Sequence, residues 1–183
     1  MPTVARVLGV LAVLVVAACG SGSSPHEPST TTTTFPALEG GEGALLLGGS
    51  LYRFTVGRCT DGSAPGDTPQ ARQQFRLTGA GQVGTLPFTI AVTRYTSDTG
   101  VGGTTVTETA LVTTGSGDAR RGVEAKRTRV GGRWIDLAQP NADRPLIERV
   151  GATVAVGARF GPEGARVGDP DIVIGRLRAR CPR

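Results

Sequence analysis

The sequence predicts a mainly β domain, built as a single antiparallel β-sandwich, barrel or strongly curved sheet of about eight strands. Segments rich in β-branched residues recur between residues 50 and 180, and many of them alternate apolar with polar positions. Glycine-rich stretches at residues 98–103, 115–118 and 131–132 separate several of these segments in the manner of hairpin turns. No segment shows a convincing helical period.

The amino-terminal residues 1–18 have the order of charge and hydrophobicity that is typical of a secretory signal. One basic residue, Arg6, precedes an apolar run over residues 7–18. A helix needs about 20 apolar residues to cross the ~30 Å hydrocarbon core of a bilayer, so this run is too short to do so. We therefore predict a cleaved signal peptide over residues 1–18.

The end of this run resembles the lipobox of bacterial lipoproteins. The resemblance is carried by Val16, Ala17, Ala18 and Cys19. It implies that the thiol of Cys19 receives a diacylglyceryl group and that cleavage between Ala18 and Cys19 makes the cysteine the mature amino terminus. Two or three acyl chains hold a protein stably on a membrane, whereas one chain binds only marginally. The expectation is an exported protein, anchored by lipid to the outer face of the cell membrane; the alternative is a plain secretory signal with an incidental cysteine.

Residues 19–44 are predicted to form a lipidated cysteine followed by a tether. Gly, Ser, Thr and Pro dominate this segment, which includes an uninterrupted threonine run at residues 30–34. Such a composition cannot bury enough apolar surface to order itself. The threonines and prolines also resemble an O-glycosylated stalk, and an unmodified spacer is an equal alternative. Residues 45–183 remain as one β-rich ectodomain.

The cysteine count predicts one disulfide bond. Once Cys19 is lipidated, Cys59 and Cys181 remain, and an even pair of cysteines in an exported chain usually closes. The bond would join the first strand of the domain to the last one. In the chain-entropy model a loop of this size gives on the order of 5 kcal/mol.

The distribution of histidine argues against the commonest catalytic sites. His26 is the only histidine, and it lies in the predicted tether. The folded domain therefore lacks the residue on which Ser-His-Asp triads, Cys-His pairs and most zinc sites depend. We predict a non-enzymatic protein with no catalytic residue, no metal site and no cofactor.

Three further sequence features could indicate a binding or catalytic site. Residues 79–84 read GAGQVG, but an alternating strand and Pro87 follow where a dinucleotide site needs a helix, so a glycine-rich hairpin turn is favoured. Asp169 and Asp171 flank Pro170 and are better explained by a turn than by a calcium site. Four carboxylates on separate strands could serve a carboxylate-based envelope enzyme only if two of them converged in a cleft: Glu108, Glu124, Asp136 and Glu148.

The positive charge of the domain is the one feature that indicates a class of partner. Of the 20 basic and 15 acidic residues, 19 and 12 lie after residue 44, which gives the domain a formal charge of +7. Arg176, Arg178 and Arg180 alternate with smaller residues in the last strand, so the pleat puts them on one face. A second basic run consists of Lys126, Arg127 and Arg129. Both runs are candidates for contact with anionic lipid, an acidic wall polymer or an envelope protein, and a solvated basic face is the alternative. Nucleic acid is not expected, because no aromatic residues accompany the arginines.

The whole layout resembles the small surface lipoproteins of mycobacteria and related actinobacteria, similar in layout to the mycobacterial lipoprotein antigen family. The resemblance rests on the lipobox at residues 16–19, the threonine-rich stalk, "FTVGRC" ending at Cys59, and "IGRLRARC" ending at Cys181. It implies a monomeric β-rich ectodomain that is displayed on the cell envelope by its acyl groups.

The sequence thus favours a lipid-anchored binding, scaffold or surface-antigen module. The alternative is a lipid or glycolipid carrier in which a curved sheet encloses an apolar cavity of several hundred Å³.

Overall fold

The structure is a computed structural model that describes residues 34–68, 70–98, 100 and 103–183. Residues Thr34–Arg183 form one compact unit. The predicted signal peptide, the cleavage site at Ala18 and Cys19, and the larger part of the predicted tether lie outside the described residues.

The described chain forms ten strands and one short 3-10 helix at Gly117–Ala119. The strands are β1 Glu42–Leu47, β2 Ser50–Asp61, β3 Ala71–Val83, β4 Leu86–Asp98, β5 Thr104–Thr114, β6 Arg121–Val130, β7 Arg133–Ile135, β8 Ile147–Val150, β9 Thr153–Phe160 and β10 Val173–Arg180.

All ten strands belong to one antiparallel sheet in the order β7-β6-β5-β4-β3-β2-β1-β10-β9-β8. The sheet curls into a half-barrel. Where it curls furthest, Glu124 on β6 and Gly161 after β9 exchange two backbone hydrogen bonds with N···O distances of 2.7 and 3.0 Å. The prediction of a mainly β, strongly curved antiparallel sheet is confirmed.

The strand count exceeds the expected eight for two reasons. Residues 146–160 read as one strand, but Gly151 adopts a positive φ of 57° and separates β8 from β9 in a tight hairpin. In addition, the predicted domain boundary at residue 45 cuts through β1, whose first three residues lie in the segment that was predicted as tether.

The domain therefore begins earlier than residue 45. β1 pairs with β2 on one side and with β10 on the other, so it is an interior strand of the sheet. Gly43 and the glycines on either side of the strand fit the composition of a tether, but the missing side chain of Gly43 leaves room for close packing. A Cβ built on Gly43 would lie 2.1 Å from the ring of Phe54.

The concave face of the sheet is filled by its own side chains. Phe54 and Phe88 pack edge to face with their ring centroids 6.5 Å apart. Around them lie the other fully buried large apolar residues of the core: Leu45, Phe75, Leu77, Ile90, Leu146, Ile147, Val92, Val154, Phe160 and Leu177. The alternation of buried and exposed positions along the strands places these residues inside.

The GAGQVG motif lies mostly within a strand. Gly79 and Gly81 belong to β3, and only Gly84, with φ +59°, sits in the turn to β4. Added Cβ atoms would lie 2.6 Å from the ring of Phe54 at Gly79 and 2.6 Å from that of Phe88 at Gly81. These two glycines make room for aromatic rings, so the expectation that they form the turn itself was wrong.

Cys59 and Cys181 form a disulfide bond, as predicted, with their Cα atoms 5.6 Å apart. Cys59 lies on β2 rather than on the first strand, and Cys181 directly follows β10. Because β1 lies between β2 and β10 in the sheet, the bond links two strands that are not hydrogen-bonded neighbours.

Candidate anion-binding face

The last strand carries a row of exposed guanidinium groups. Along β10 the exposed Arg176, Arg178 and Arg180 alternate with buried Gly175, Leu177 and Ala179, as the period of the pleat predicts. Residues two apart in a strand lie roughly 6.6 Å from one another. We call these three residues the arginine row. Within the described part of the chain, none of the three forms an ion pair.

A groove runs beside the arginine row because the neighbouring strand presents small residues. The register places Gly157 opposite Arg176, Ala155 opposite Arg178, and Thr153 opposite Arg180. The groove has a volume of about 570 Å³ and is lined by Arg176 and Arg178. Its lining also includes Arg144, Glu148 and Phe35.

The lining of this groove includes both a basic and an acidic side chain. Arg144 Nη1 lies 3.7 Å from Glu148 Oε1, and both side chains are largely exposed. Solvent screens such a pair, so the arginine keeps most of its capacity to contact an anion. A second groove of about 440 Å³ extends from Arg144 and Arg176 towards Arg159.

The chain enters the domain along the same face. Residues 35–38 line a further groove of about 350 Å³ together with Thr153, Arg178 and Arg180. Arg180 Nη1 donates a hydrogen bond of 3.4 Å to the carbonyl oxygen of Leu38. We call residues 34–38 the entry segment. Phe35 was not singled out from the sequence, although a lone aromatic residue in a threonine-rich segment was a usable signal.

The second basic run does not form a common surface, so that expectation was wrong for Lys126, Arg127 and Arg129 as a group. The pleat points Lys126 and Arg127 to opposite faces of β6, and Arg127 is only 2% exposed. Arg129 is exposed at the strand end, where its Nε donates to the carbonyl oxygen of Gly132. Adjacency in sequence is not adjacency on a strand surface.

Arg127 instead holds the connection between β7 and β8. Its Nε lies 3.0 Å from Asp136 Oδ2, and its Nη1 donates to the carbonyl oxygens of Arg144 and Pro145 at 3.1 and 3.2 Å. Its Nη2 donates to Gln139 Oε1 at 3.1 Å. A buried guanidinium requires this many partners to offset the loss of water.

Two of the four strand carboxylates, Glu124 and Asp136, line one groove at the β6–β7 edge, whereas Glu108 and Glu148 do not line it. Glu108 and Asp136 are buried and each is bound to an arginine, namely Arg94 at 2.6 Å and Arg127 at 3.0 Å. Glu124 is half-buried at the bridge between β6 and residue 161, and Glu148 is exposed beside Arg144. Glu108 and Asp136 therefore stabilise the fold, each through its own arginine.

The remaining candidates occupy ordinary structural positions. Asp169 Oδ1 accepts a hydrogen bond from the backbone N–H of Asp171 at 3.0 Å, which is the geometry of the predicted turn. Within residues 34–183, as far as they are described, no group of three His, Cys, Asp or Glu side chains could hold a metal ion. A search of the same residues finds no helix with the length and hydrophobicity that a membrane span requires.

No known protein family, curated protein or solved structure matches this chain. The assignment of function therefore rests on the lipobox-like sequence and on the geometry of the arginine row.

Proposed function

We propose that the chain is a lipid-anchored envelope lipoprotein whose β domain is a non-enzymatic binding, scaffold or surface-antigen module. In this proposal the signal peptide 1–18 is removed, Cys19 carries the acyl groups, and the domain is displayed at the outer face of the membrane. The partner that binds the arginine row is anionic. The candidates are anionic lipid, an acidic wall polymer or an envelope protein.

The observation that carries the binding proposal is the contrast between arginines that pair with buried carboxylates and arginines that do not. Arg94 and Arg127 are bound to buried carboxylates and therefore serve the fold. The arginine row has no carboxylate partner among the described residues, and it borders grooves large enough for headgroups or sugar phosphates. Guanidinium groups recognise phosphate and carboxylate through paired N–H donors.

A carboxylate-based enzyme has less support than a binding module. Glu108 accepts hydrogen bonds from the backbone N–H groups of Leu146 and Ile147 at 2.6 and 3.0 Å, in addition to its pair with Arg94. Asp136 accepts from the N–H groups of Ala138 and Gln139 as well as from Arg127. Neither carboxylate has the free geometry that a general acid or base needs.

A lipid or glycolipid carrier is the second candidate, and one groove favours it. This groove lies at the β6–β7 edge and has a volume of about 410 Å³. Its lining combines the exposed apolar Val130, Ile135 and Leu137 with four charged residues, Glu124, Lys126, Asp136 and Glu163. Native mass spectrometry of the protein purified from its own envelope tests this candidate. A co-purifying lipid whose retention falls in an Ile135→Ser variant supports the carrier, and a protein free of lipid argues against it.

The anchor is tested by a single substitution in the producing cell. Cys19→Ala removes the only thiol that the lipid could modify at this site, so we expect the protein to move from the membrane fraction to the culture medium. Ser21→Ala changes the same segment without removing the thiol and should leave the protein in the membrane fraction. Retention of the Cys19→Ala protein in the membrane fraction would contradict the lipid anchor.

A further inference from the structure

We infer that the arginine row and the strands beside it face and contact the anionic surface of the bilayer that holds the anchor. This inference rests on the proposed lipid anchor and assigns the partner of the same face. The membrane-facing surface consists of outward side chains from five adjacent strands, β8, β9, β10, β1 and β2.

The first argument is the sign of the charge. The register places Arg178 opposite Ala44 on β1, and Ala44 opposite Arg53 on β2, so Arg53 extends the basic surface by two strands. Arg144 and Arg159 border the grooves on the other side of the row. On these strands two carboxylates share this surface, and each has a partner: Glu148 pairs with Arg144, and Glu42 accepts a hydrogen bond from the backbone N–H of Glu39.

The second argument is that large apolar side chains are interspersed among the arginines. Ile174, which precedes Arg176 on the same face of β10, is 70% exposed, and Val150 on β8 is 82% exposed. Leu51 on β2 is 42% exposed and lies opposite Leu46, which in turn lies opposite Arg176. Basic groups among exposed apolar ones suit the headgroup region, where lipid phosphates and the edge of the hydrocarbon are both within reach. A soluble acidic polymer would leave these apolar side chains in water.

The third argument is the point at which the chain reaches the domain. The entry segment lies on this surface, since Phe35 lines the groove beside Arg178 and Leu38 binds Arg180. Fourteen residues lie between Cys19 and the entry segment, so even a fully extended chain of this length reaches only about 50 Å. The surface that carries the entry segment is therefore the one that the anchor holds closest to the bilayer.

The fourth argument is that the outer face of β4 and β5 lacks this character. The outward positions of these two strands carry no charged side chain and include the exposed Thr89 and the pair of Thr93 with Thr109. A bilayer bearing negative charge attracts the basic surface and has no comparable attraction to this neutral one.

The test uses the full lipidated chain, reconstituted into vesicles of phosphatidylcholine alone or of phosphatidylcholine mixed with phosphatidylglycerol. A dicarbonyl reagent that is specific for guanidinium groups modifies exposed arginines, and peptide mass spectrometry gives the rate at each one. We expect Arg176, Arg178 and Arg180 to react severalfold more slowly in the anionic vesicles. Salt near 1 M, where the Debye length is about 3 Å, should remove the difference. Arg120 and Arg121, exposed near the β5–β6 connection, are internal controls and should react equally in both vesicles.

A matched pair of variants makes the test specific to the row. The row variant combines Arg176→Gln, Arg178→Gln and Arg180→Gln, and the control combines Arg120→Gln, Arg121→Gln and Arg133→Gln, with the same change in charge. Each arginine near an anionic surface raises the equilibrium constant for binding of this face to the bilayer about fivefold. We therefore expect this constant to fall on the order of 100-fold in the row variant. Protection of Arg53 and Arg144 should disappear in the row variant and persist in the control. Retained protection of both residues in the row variant would overturn the inference.

The outcomes separate the inference from the anchor on which it rests. Equal reaction rates of the arginine row in the two vesicles, with the protein still floating with both, overturn the inference and leave the anchor intact. Protection that arises only when soluble polyphosphate is added overturns it in favour of a polymer partner. Failure of the processed protein to float with either vesicle contradicts the anchor and, with it, the inference.

Discussion

Gly43 shows how a single missing side chain positions the amino-terminal strand. The ring of Phe54 covers Gly43, and an added Cβ would lie 2.1 to 2.6 Å from three of its carbon atoms. Real Cβ atoms do not approach carbon atoms this closely, so the ring would have to move into a core that is already packed. The glycine thus allows β1 to lie between β2 and β10.

We expect Gly43→Ala to destabilise the domain by about 1–3 kcal/mol, the usual cost of overpacking a core. Gly157→Ala is the matched control, because no heavy atom lies within 4 Å of a Cβ at that position on β9. The control should be neutral or slightly stabilising, since alanine restricts the unfolded chain more than glycine does. Urea unfolding of the two variants measures the difference. Equal stability of both variants would contradict the packing role of Gly43.

Single residues also show what could be predicted without the structure. The alternation around Arg176, Arg178 and Arg180 was sufficient to predict that they share one face. The opposite face of β10 is buried at alternate positions, so no arginine of the row is turned inwards. The same rule failed for Lys126, Arg127 and Arg129, which were grouped by adjacency. The burial of Arg127 depends on Asp136 and on two carbonyl oxygens from the β7–β8 connection. The alternation of residues along a strand does not predict such contacts.

At the scale of elements, the connection between β7 and β8 is held by charge rather than by regular structure. Glu108 on β5 accepts the N–H groups of residues 146 and 147 at the entry to β8. Arg127 on β6 holds the carbonyl oxygens of residues 144 and 145 just before it. Two neighbouring strands therefore supply an acceptor and a donor to successive peptide groups. This arrangement positions Arg144, and with it one wall of the groove beside the arginine row.

Glu108→Gln should destabilise the domain by about 1–3 kcal/mol, because it removes the counter-charge of the partly exposed Arg94 and a charged acceptor of the buried N–H groups of residues 146 and 147. Glu148→Gln is the control, since its pair with Arg144 is exposed and contributes less than about 1 kcal/mol. Hydrogen exchange should show faster exchange of the amides of residues 146 and 147 in the first variant alone. Unchanged exchange at these two amides would contradict the role assigned to Glu108.

The elements themselves were predictable to different degrees. Long strands with alternating residues and glycine turns, such as β4, β5 and the turn at residues 131–132, follow directly from the sequence. β1 was missed because Gly43 and the glycines on either side of the strand resembled a tether, and its place between β2 and β10 depends on residues distant in sequence. β8 was merged with β9 because β-branched and apolar residues occur on both sides of Gly151, where a local turn with a φ of 57° forms the hairpin.

Over the whole molecule, the sheet brings the two ends of the domain together. β1 and β10 are hydrogen-bonded neighbours, so the entry segment, the arginine row and Cys181 occupy one region. The sheet leaves β7 and β8 as its edge strands, and the backbone bridge between Glu124 on β6 and Gly161 after β9 joins the strands next to them. The disulfide bond adds a covalent link between β2 and the end of β10. The region that is proposed to face the bilayer is thus the region that the covalent link restrains.

Loss of the disulfide bond should reduce the free energy of unfolding more than any single surface change. The bond closes a loop with a sequence separation of 122, which the chain-entropy model values at about 5 kcal/mol, and measured losses run at about 2–5 kcal/mol. A domain stable by about 5–15 kcal/mol would then be near the limit of stability at growth temperature. The double variant Cys59→Ser with Cys181→Ser tests this by thermal and urea unfolding beside the intact protein. Because the two serines remove the bond without adding bulk, an unchanged unfolding midpoint would mean that the pairing of β1 with β10 alone holds the termini.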